Sequence, residues 1–364
     1  MLKPTHVIPK LPPATELETT EVLKALITAK SAMAELKGTA RNIPNPGILI
    51  DTLALQEAKA SSEIENIVTT QDELFQADLF PENPPSGAAK EVALYRGALH
   101  LGYARLRETG GLIPNGALID MFRLLKGRDD GFRGTPGTAL KNEATGEIVY
   151  IPPQDASEIV AQMTALERFV NDDALSDLDP LVKMALIHHQ FESIHPFPDG
   201  NGRIGRILNV LYLTRTGLLE IPILYISRYI NQHKAVYYSE LQAVREGGPW
   251  QPWLLFMLAA VAETAVTTLN LVEGIRVQML GAKRRMRKDL PKIYSQDLLN
   301  NLFRHPYTRI DYVQKDLGVT RQTAARYLDA LAAAGFVTKH QSGRNNYYVN
   351  AALVRLFLDV SGSR

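Results

Sequence analysis

Thirteen consecutive residues, Ile194 to Arg206, combine residue types that could bind an anion and move a proton. They include one histidine, one aspartate, three glycines, one asparagine and two arginines. An apolar core segment would not carry this mixture, and a solvated loop would not need it. His195 is the one group here whose ordinary pKa suits a general base near neutral pH. The segment therefore predicts a small anion site with a base at its edge.

Each remaining polar position has a separate use in such a site. Gly200 and Gly202 would let a phosphate approach backbone N–H groups closely. Arg203 and Arg206 are three residues apart, so one helix face can present both guanidinium groups to successive phosphates. Asp199 offers the hard oxygen ligand that Mg2+ on a polyphosphate prefers. These residue types predict a metal-bound polyphosphate as the ligand.

Two predicted helices position this segment. Residues 180–192 form the first, with Pro180 in the permitted first turn, and helical apolar spacing returns from Gly202 onward. The second helix therefore begins inside the segment and directs its positive N-terminal end at the anion. Asn201 either holds the intervening loop or donates to a phosphate, and Phe197 is expected to anchor the loop in the core.

Residues 195–206 resemble the Fic domain family, whose pattern His-x-Phe-x-(Asp/Glu)-Gly-Asn-Gly-Arg-x-x-Arg is matched at every defined position. The resemblance implies transfer of AMP from ATP to a Ser, Thr or Tyr hydroxyl of a protein target, including the chain itself. It implies that His195 deprotonates the hydroxyl and that Asp199 binds Mg2+. By the same resemblance the phosphates are held by Gly200, Asn201, Gly202, Arg203 and Arg206, the last on the γ-phosphate.

A second segment is similar to the inhibitory motif of that family. Ser61, Glu65 and Asn66 match the pattern (Ser/Thr)-x-x-x-Glu-(Gly/Asn) on a predicted helix over residues 51–68. The resemblance implies that Glu65 makes a bidentate pair with Arg206 and takes the place of the γ-phosphate. We therefore expect an enzyme that is autoinhibited in its resting state.

Two other regions resemble family elements that contact the target and the nucleotide. The Gly- and Pro-rich residues 127–153 are predicted to contain a β-hairpin. Its second strand would be the flap that docks a target segment by strand addition, through Ile148, Val149, Tyr150 and Ile151. Residues near the adenine pocket would be Asn231, Tyr237 and Tyr238, although paired tyrosines at this spacing also fit a core.

The C-terminal part of the chain is basic. Residues 281–364 carry 15 Lys and Arg against 6 Asp and Glu, in a chain whose net charge is +1. Residues 291–350 are predicted to form three helices and a hairpin, which resembles a winged helix-turn-helix. The third helix and the hairpin tip would supply the DNA contacts Arg321, Gln322, Thr323, Arg326 and Arg344. Such modules also dock proteins or form dimers, so DNA, a protein and a second copy of the chain remain alternative partners.

Composition limits the kinds of bond, metal site and cellular location that the chain can have. The chain has 364 residues and no cysteine, which excludes disulfides and cysteine metal sites. No signal peptide or membrane span is predicted, so we expect a cytoplasmic protein.

The expected fold is mainly α: a helical Fic-type domain with a small β-hairpin flap, plus a C-terminal winged helix-turn-helix domain. The expected ranges are 1–100 for the N-terminal helical region with the inhibitory helix, 101–280 for the catalytic core, and 281–364 for the basic helix and winged domain.

Two alternative functions remain open at this point. The first is a transcription regulator that binds DNA through its C-terminal domain and uses the Fic part to sense nucleotide. The second is a Fic enzyme that removes AMP or transfers another phosphoryl-type group, because the same residues would serve either reaction.

Overall fold

The computed structural model describes residues 6–141, 145–342 and 345–362, and they are mainly helical with two small antiparallel sheets. This confirms the predicted mainly α class, whereas the winged helix-turn-helix domain stays a prediction. The elements before the histidine segment are α1 (Thr20–Ala40), α2 (Pro46–Ile64), α3 (Gln71–Leu79), α4 (Gly87–Glu108), α5 (Asn115–Lys126), β1 (Leu140–Lys141), β2 (Ile148–Tyr150), α6 (Ala156–Asn171) and α7 (Pro180–Ile194).

The elements that follow are α8 (Asn201–Arg215), α9 (Ser227–Gln232), α10 (Lys234–Arg245), α11 (Trp250–Asp289), α12 (Gln296–Arg304), β3 (Tyr307–Thr308), α13 (Ile310–Leu317), α14 (Arg321–Ala333), β4 (Thr338–Ser342), β5 (Asn345–Val349) and α15 (Ala351–Gly362).

The described residues form two compact units that interleave along the chain. One contains the described parts of Met1–Ala34, Glu57–Ile67 and Leu94–Ala265, and the other contains those of Glu35–Gln56, Val68–Ala93 and Val266–Arg364. The division of the sequence into three consecutive ranges stays a prediction.

Helix α7 is the central helix of the first unit. Every residue from Leu181 to Ile194 is buried, and α7 packs against α6 and α8. Its start follows the sequence prediction, because Pro180 occupies the first turn and the Asp179 side chain accepts from the Leu181 N–H at 3.0 Å. A helix buried on all sides is held rigidly, which suits an element that must position a functional side chain at its end.

The predicted hairpin is present in the first unit. Strands β1 and β2 pair antiparallel, with Leu140 opposite Tyr150 and Lys141 opposite Ile148. Ile151 follows β2, and residues 142–144 lie outside the described residues.

The second unit contains three short helices, α12 to α14, and a three-stranded sheet in the order β3-β5-β4. The three helices and the β4–β5 pair follow the sequence prediction. Thr320 caps α14, accepting from the Thr323 N–H at 3.2 Å. Strand β3 and helix α15 were not predicted.

Helix α11 differs from the expectation that no stretch is long enough to span a membrane. It is continuous over 40 residues, and by length and composition alone an 18-residue window of it could cross a bilayer. Core helices of soluble proteins pass the same test, and 56% of this window is buried within the protein.

Candidate active site

His195 stands at the point where α7 ends. It has a left-handed backbone, with φ 51° and ψ 58°, and its N–H donates to the Phe191 carbonyl at 2.9 Å. The residue as a whole is half-buried, and the Nδ1 atom of its ring is inaccessible to solvent. Burial lowers the pKa of His195 to about 3, and the guanidinium groups of Arg245 and Arg133 act in the same direction. His195 is therefore neutral near pH 7, the form that a general base requires.

The loop after His195 is held by Asn201 and Phe197. The Phe197 N–H donates to Asn201 Oδ1 at 2.8 Å, and Asn201 Nδ2 donates to the Phe197 carbonyl at 2.8 Å. The Phe197 ring is fully buried and stacks on Phe122 with centroids 4.4 Å apart. The structure thus gives the Asn201 side chain the first of its two predicted uses, holding the loop, and confirms Phe197 as the anchor.

The N-terminus of α8 provides the candidate anion site. Gly200 precedes the helix in a left-handed conformation, with φ 74°, and no side chain among the described residues caps the first turn. Backbone N–H groups and the positive end of the helix dipole are therefore available to an anion. Gly202 lies in this turn, and a Cβ there would come within 2.8 Å of Arg206 Nη1 and of Glu65 Oε1. A larger residue at position 202 would therefore require the ends of those two side chains to shift.

Asp199 lies at the open edge of this site. Its side chain is 58% exposed and pairs with Lys126 Nζ at 2.6 Å. Burial acts to raise the pKa of Asp199, but Lys126, Arg203 and the Gly200 N–H together hold that pKa below its ordinary value. Within residues 6–141, 145–342 and 345–362, no three His, Asp or Glu side chains cluster as metal ligands. A single ionised carboxylate beside a candidate anion site would fit Mg2+, which is commonly held by one or two carboxylates and by substrate phosphates.

Arg203 and Arg206 are almost completely buried, with side chains 1% and 2% exposed. Glu65 joins them: its Oε2 lies 2.6 Å from Arg203 Nε and its Oε1 lies 2.9 Å from Arg206 Nη2. The predicted pairing of Glu65 with Arg206 is therefore present, but the carboxylate is not bidentate on Arg206, because its two oxygens are shared between the two guanidinium groups. The Glu65 carboxylate therefore lies where an anionic ligand would contact both Arg203 and Arg206.

The other two residues of the Glu65 segment also have defined places. Ser61 Oγ accepts from Arg206 Nε at 2.7 Å, and the Ser61 carbonyl accepts from Arg206 Nη2 at 2.9 Å. Asn66 follows the end of α2 with φ 60°, a conformation that glycine and asparagine adopt more readily than other residues. This explains why the sixth position of the pattern admits only Gly or Asn.

Two buried carboxylates near Arg206, Glu57 and Glu192, belong to no motif of the sequence. Glu57 accepts from Tyr95 Oη at 3.1 Å and from Ser227 Oγ. Burial raises the pKa of Glu57 to about 7 and that of Glu192 to about 7, while the charge of Arg206 acts against both shifts. Only Glu192 could have been placed near the site from the sequence, because it lies three residues before His195.

Two arginines that were not predicted as site residues, Arg133 and Arg245, contact the histidine loop. Arg133 Nε donates to the His195 carbonyl at 2.7 Å, and Arg245 Nη2 donates to the Glu192 carbonyl at 2.9 Å. Neither arginine lies within a motif, so no local signal marks them.

The flap residues divide by exposure. Ile148 and Val149 are 49% and 43% exposed, whereas Tyr150 is buried. The Val149 carbonyl accepts from Gln242 Nε2 at 3.4 Å. The two exposed apolar side chains leave a surface on β2 that an extended segment could cover.

The residues assigned to the adenine vicinity differ in their surroundings. Tyr237 is 2% exposed, and its hydroxyl lies 2.9 Å from His188 Nε2, so its side chain belongs to the core. Tyr238 is 47% exposed. Asn231 Nδ2 donates to Glu63 Oε2 at 3.2 Å. Of the two tyrosines, only Tyr238 offers an exposed ring.

The second unit carries the residues predicted to contact DNA. Arg321, Gln322 and Arg326 are exposed on the first two turns of α14. Arg321 pairs with Asp311 at 2.6 Å. The Thr323 N–H is used in the cap of the helix. Arg344 lies outside the described residues.

Comparison with known proteins gives three matches to family models. The Fic/DOC family N-terminal model matches residues 23–104, the Fic/DOC family model matches residues 119–213, and the model of the C-terminal domain of SoFic-like protein adenylyltransferase matches residues 279–353.

Curated proteins are similar over part of the chain. A segment of 157 residues, 42% of this chain, is 34% identical to protein adenylyltransferase Fic of Drosophila melanogaster and 30% identical to that of Drosophila erecta. The matched segment spans 28% of the length of each of those relatives.

Solved structures are similar in fold. A Fic family protein from Desulfovibrio desulfuricans G20 superposes with a TM-score of 0.56 at 19% identity, over 93% of this chain and 98% of that chain. Fic-1 from C. elegans superposes with a TM-score of 0.54 at 18% identity, over 71% of this chain and 74% of that chain.

Proposed function

The chain carries the two Fic/DOC domains and a SoFic-like C-terminal domain, and we propose that it is an autoinhibited protein adenylyltransferase. It would transfer AMP from ATP to a Ser, Thr or Tyr hydroxyl of a protein. The observation that carries the proposal is the arrangement around α8: two buried arginines and a free helix N-terminus lie at one end of a short loop, and a neutral histidine lies at the other.

The chemistry follows from these positions. His195 accepts the proton of the target hydroxyl as its oxygen attacks the α-phosphorus of ATP. The bond from the α-phosphorus to the bridging oxygen of the β-phosphate breaks, and pyrophosphate leaves. Arg203, Arg206 and the backbone N–H groups of α8 bind the negative oxygens and keep the triphosphate in place. A base and a positioned phosphate chain are what this displacement needs.

Asp199 is the residue that would hold Mg2+ on the phosphates. When bound, the ion would neutralise charge on the phosphate oxygens as the leaving group departs. In the structure Lys126 pairs with the Asp199 carboxylate. The exposure of Asp199 and its lowered pKa support this assignment, because the carboxylate is accessible and ionised near neutral pH.

The autoinhibitory part of the proposal rests on Glu65. Its carboxylate neutralises Arg203 and Arg206 together, and an incoming γ-phosphate would have to displace it from Arg206. Charge-assisted contacts of this kind contribute about 1.5–3 kcal/mol each. ATP would therefore bind weakly, or without its γ-phosphate on Arg206, until Glu65 moves away.

The test is a labelling experiment on the wild type and on Glu65→Gly. Each is incubated with Mg2+ and either α-labelled or γ-labelled ATP. Protein label from the α-phosphate alone, stronger in Glu65→Gly, is the expected result. Label from the γ-phosphate would instead show a kinase, and equal α-label in both proteins would remove the inhibitory role of Glu65.

A second activity is supported by the C-terminal unit. Arg321, Gln322 and Arg326 are exposed where a recognition helix would present side chains to a DNA groove, and the surrounding sequence is basic. We propose that α14 binds duplex DNA. Retention of duplex DNA that weakens steeply with salt would support it, and absence of retention at low salt would leave protein docking as the role of this unit.

A further inference from the structure

Every main-chain carbonyl from Glu192 to Pro196 accepts a hydrogen bond from outside α7. On one side Arg133 binds three consecutive carbonyls. Its backbone N–H donates to Pro196 at 2.8 Å, its Nε to His195 at 2.7 Å, and its Nη2 to Ile194 at 3.2 Å. The Arg133 side chain is 5% exposed, so these bonds are made away from bulk water.

On the other side Arg245, at the end of α10, binds the preceding turn. Its Nη2 donates to the Glu192 carbonyl at 2.9 Å, and its Nε donates to Ser193 Oγ at 3.1 Å. The guanidinium lies over the ring of Tyr150, 4.0 Å from the centroid. The Tyr150 hydroxyl donates to the Ser193 carbonyl at 2.8 Å. Strand β2 and α10 thus meet at the same turn.

These contacts offset two energetic costs at the end of α7. The last carbonyls of a helix have no partner within it, and they form the negative end of its dipole, where cations are favoured. In addition, a left-handed backbone at a residue other than glycine is strained and persists only where its surroundings fix it. Donors on both sides of His195 supply that constraint.

We propose that Arg133 and Arg245 are positioning residues for His195, which clamp its loop from two sides, and that Arg245 and Tyr150 join this clamp to strand β2. The inference rests on the proposed role of His195 as the base. Neither arginine is assigned a contact with ATP or with the target, so each acts through the histidine. A target segment added to β2 would lie on the strand that Tyr150 connects to the same turn.

The charges of the two arginines have a separate effect from their hydrogen bonds. After burial, Arg245 and Arg133 are the groups that most oppose protonation of His195, whereas the Glu192 carbonyl and the Asp199 carboxylate favour it. Lysine at position 245 would keep the charge but lose the planar fork that binds Glu192 and Ser193 together. Glutamine would lose the charge as well. The two substitutions therefore separate position from charge.

The experiment compares Arg245→Lys, Arg245→Gln and Arg133→Gln, all in the Glu65→Gly background. Arg168→Gln is the control, because Arg168 is 71% exposed on α6 in the same unit. Steady-state transfer gives kcat and the KM for ATP. NMR gives the Cα shift of His195, which reports its left-handed backbone, and its ring 15N shifts from pH 8 down to the lowest pH at which the proteins stay folded, assigned with His195→Asn.

We expect kcat to fall at least tenfold in all three clamp variants, with the KM for ATP changed less than twofold, because misplacing a reacting group by ~1 Å can cost about a hundredfold. The Cα shift of His195 moves in all three, whereas ring protonation begins at higher pH only in the two Gln variants. The control resembles its parent in every readout.

Unchanged kcat and an unchanged His195 Cα shift in folded Arg245→Lys and Arg245→Gln would overturn the inference. So would a loss of kcat matched by an equal rise in KM, which would indicate general damage to the site. If the Glu65→Gly parent transfers no AMP, the proposed function fails, while the NMR readouts still decide whether the two arginines fix His195.

Discussion

The first turns of α8 and α14 carry similar residues in opposite environments. Arg203 and Arg206 on α8 are nearly inaccessible and share one internal carboxylate, Glu65. Arg321 on α14 has a 67% exposed side chain and pairs with Asp311, which is itself 53% exposed. Both helices begin with arginines near a positive dipole end, yet only α8 has enclosed its arginines within the protein.

The difference separates two ways of using positive charge. Buried guanidinium groups have fixed directions and few competing partners, so they select a ligand by geometry and tolerate little change. Exposed ones contribute mostly through the long-range field, which salt screens, and each is worth little alone. Substitutions around α8 should therefore have large, specific effects, and those on α14 should have small effects that depend on ionic strength.

The largest effect is expected at the base beside α8. His195→Ala, made in the Glu65→Gly background, should lower transfer of AMP by about 10²–10⁴. Binding of ATP should be nearly unchanged, because the arginines and the helix N-terminus remain. Labelling with α-labelled ATP and calorimetric titration with ATP measure the two quantities. Retained transfer would take the base role from His195.

The next largest effect tests the Glu65 carboxylate that lies between the two buried arginines. Glu65→Gly should raise ATP affinity and self-labelling ten- to a hundredfold, since one charge-assisted contact of about 1.5–3 kcal/mol no longer competes with phosphate. Glu108→Gln is the matched control, because that carboxylate is exposed and pairs only with Arg105 among the ion pairs of the described residues. Equal ATP affinity in Glu65→Gly and the wild type would mean that the arginines do not bind phosphate.

A third effect tests the burial of Glu57 through the pH dependence of the unfolding free energy. The pKa of Glu57 is raised from an ordinary value of 4.5 to about 7. Its contribution to stability is therefore fully present below pH 4.5 and is lost as pH rises toward 7. Ionisation of Glu57 should lower the unfolding free energy of the wild type by about 2 kcal/mol between pH 5 and 7, and Glu57→Gln should lack this decrease. Urea unfolding of variant and wild type at both pH values measures it; parallel pH dependences would show that Glu57 ionises normally.

The smallest effect is expected on α14. Arg326→Ala should change the unfolding free energy by less than about 0.5 kcal/mol, as exposed substitutions usually do. If α14 binds DNA, the same change should lower the slope of log affinity against log salt by about 1. Fluorescence anisotropy with a labelled duplex at several salt concentrations checks this. A loss of affinity that does not depend on salt would contradict a phosphate contact.

The sequence was most informative where one short segment contains the proposed base and the phosphate-binding positions. His195, Gly200, Gly202, Arg203 and Arg206 have types suited to their positions, and the loop-to-helix transition at Gly200 follows from local rules. The hairpin, the three C-terminal helices and the Thr320 cap are likewise local, and they were predicted from spacing and capping residues alone.

The remainder depends on contacts between distant parts of the chain. Arg133 and Arg245 are ordinary arginines in sequence, and only the packing of their elements brings them to the end of α7. The burial of Tyr237 and the raised pKa of Glu57 also arise from tertiary enclosure, which periodicity does not encode. The sharing of Glu65 between two arginines required the relative position of α2 and α8.

The contacts of Ser61 have a genetic consequence. Arg206 donates to both the hydroxyl and the carbonyl of Ser61, so α2 stays tied to α8 when the Glu65 carboxylate is absent. If Glu65 restrains the proposed transfer, a single codon change at position 65 is therefore expected to alter that activity while α2 keeps its Ser61 contacts with α8. Selection could then change the proposed activity through one position at a time.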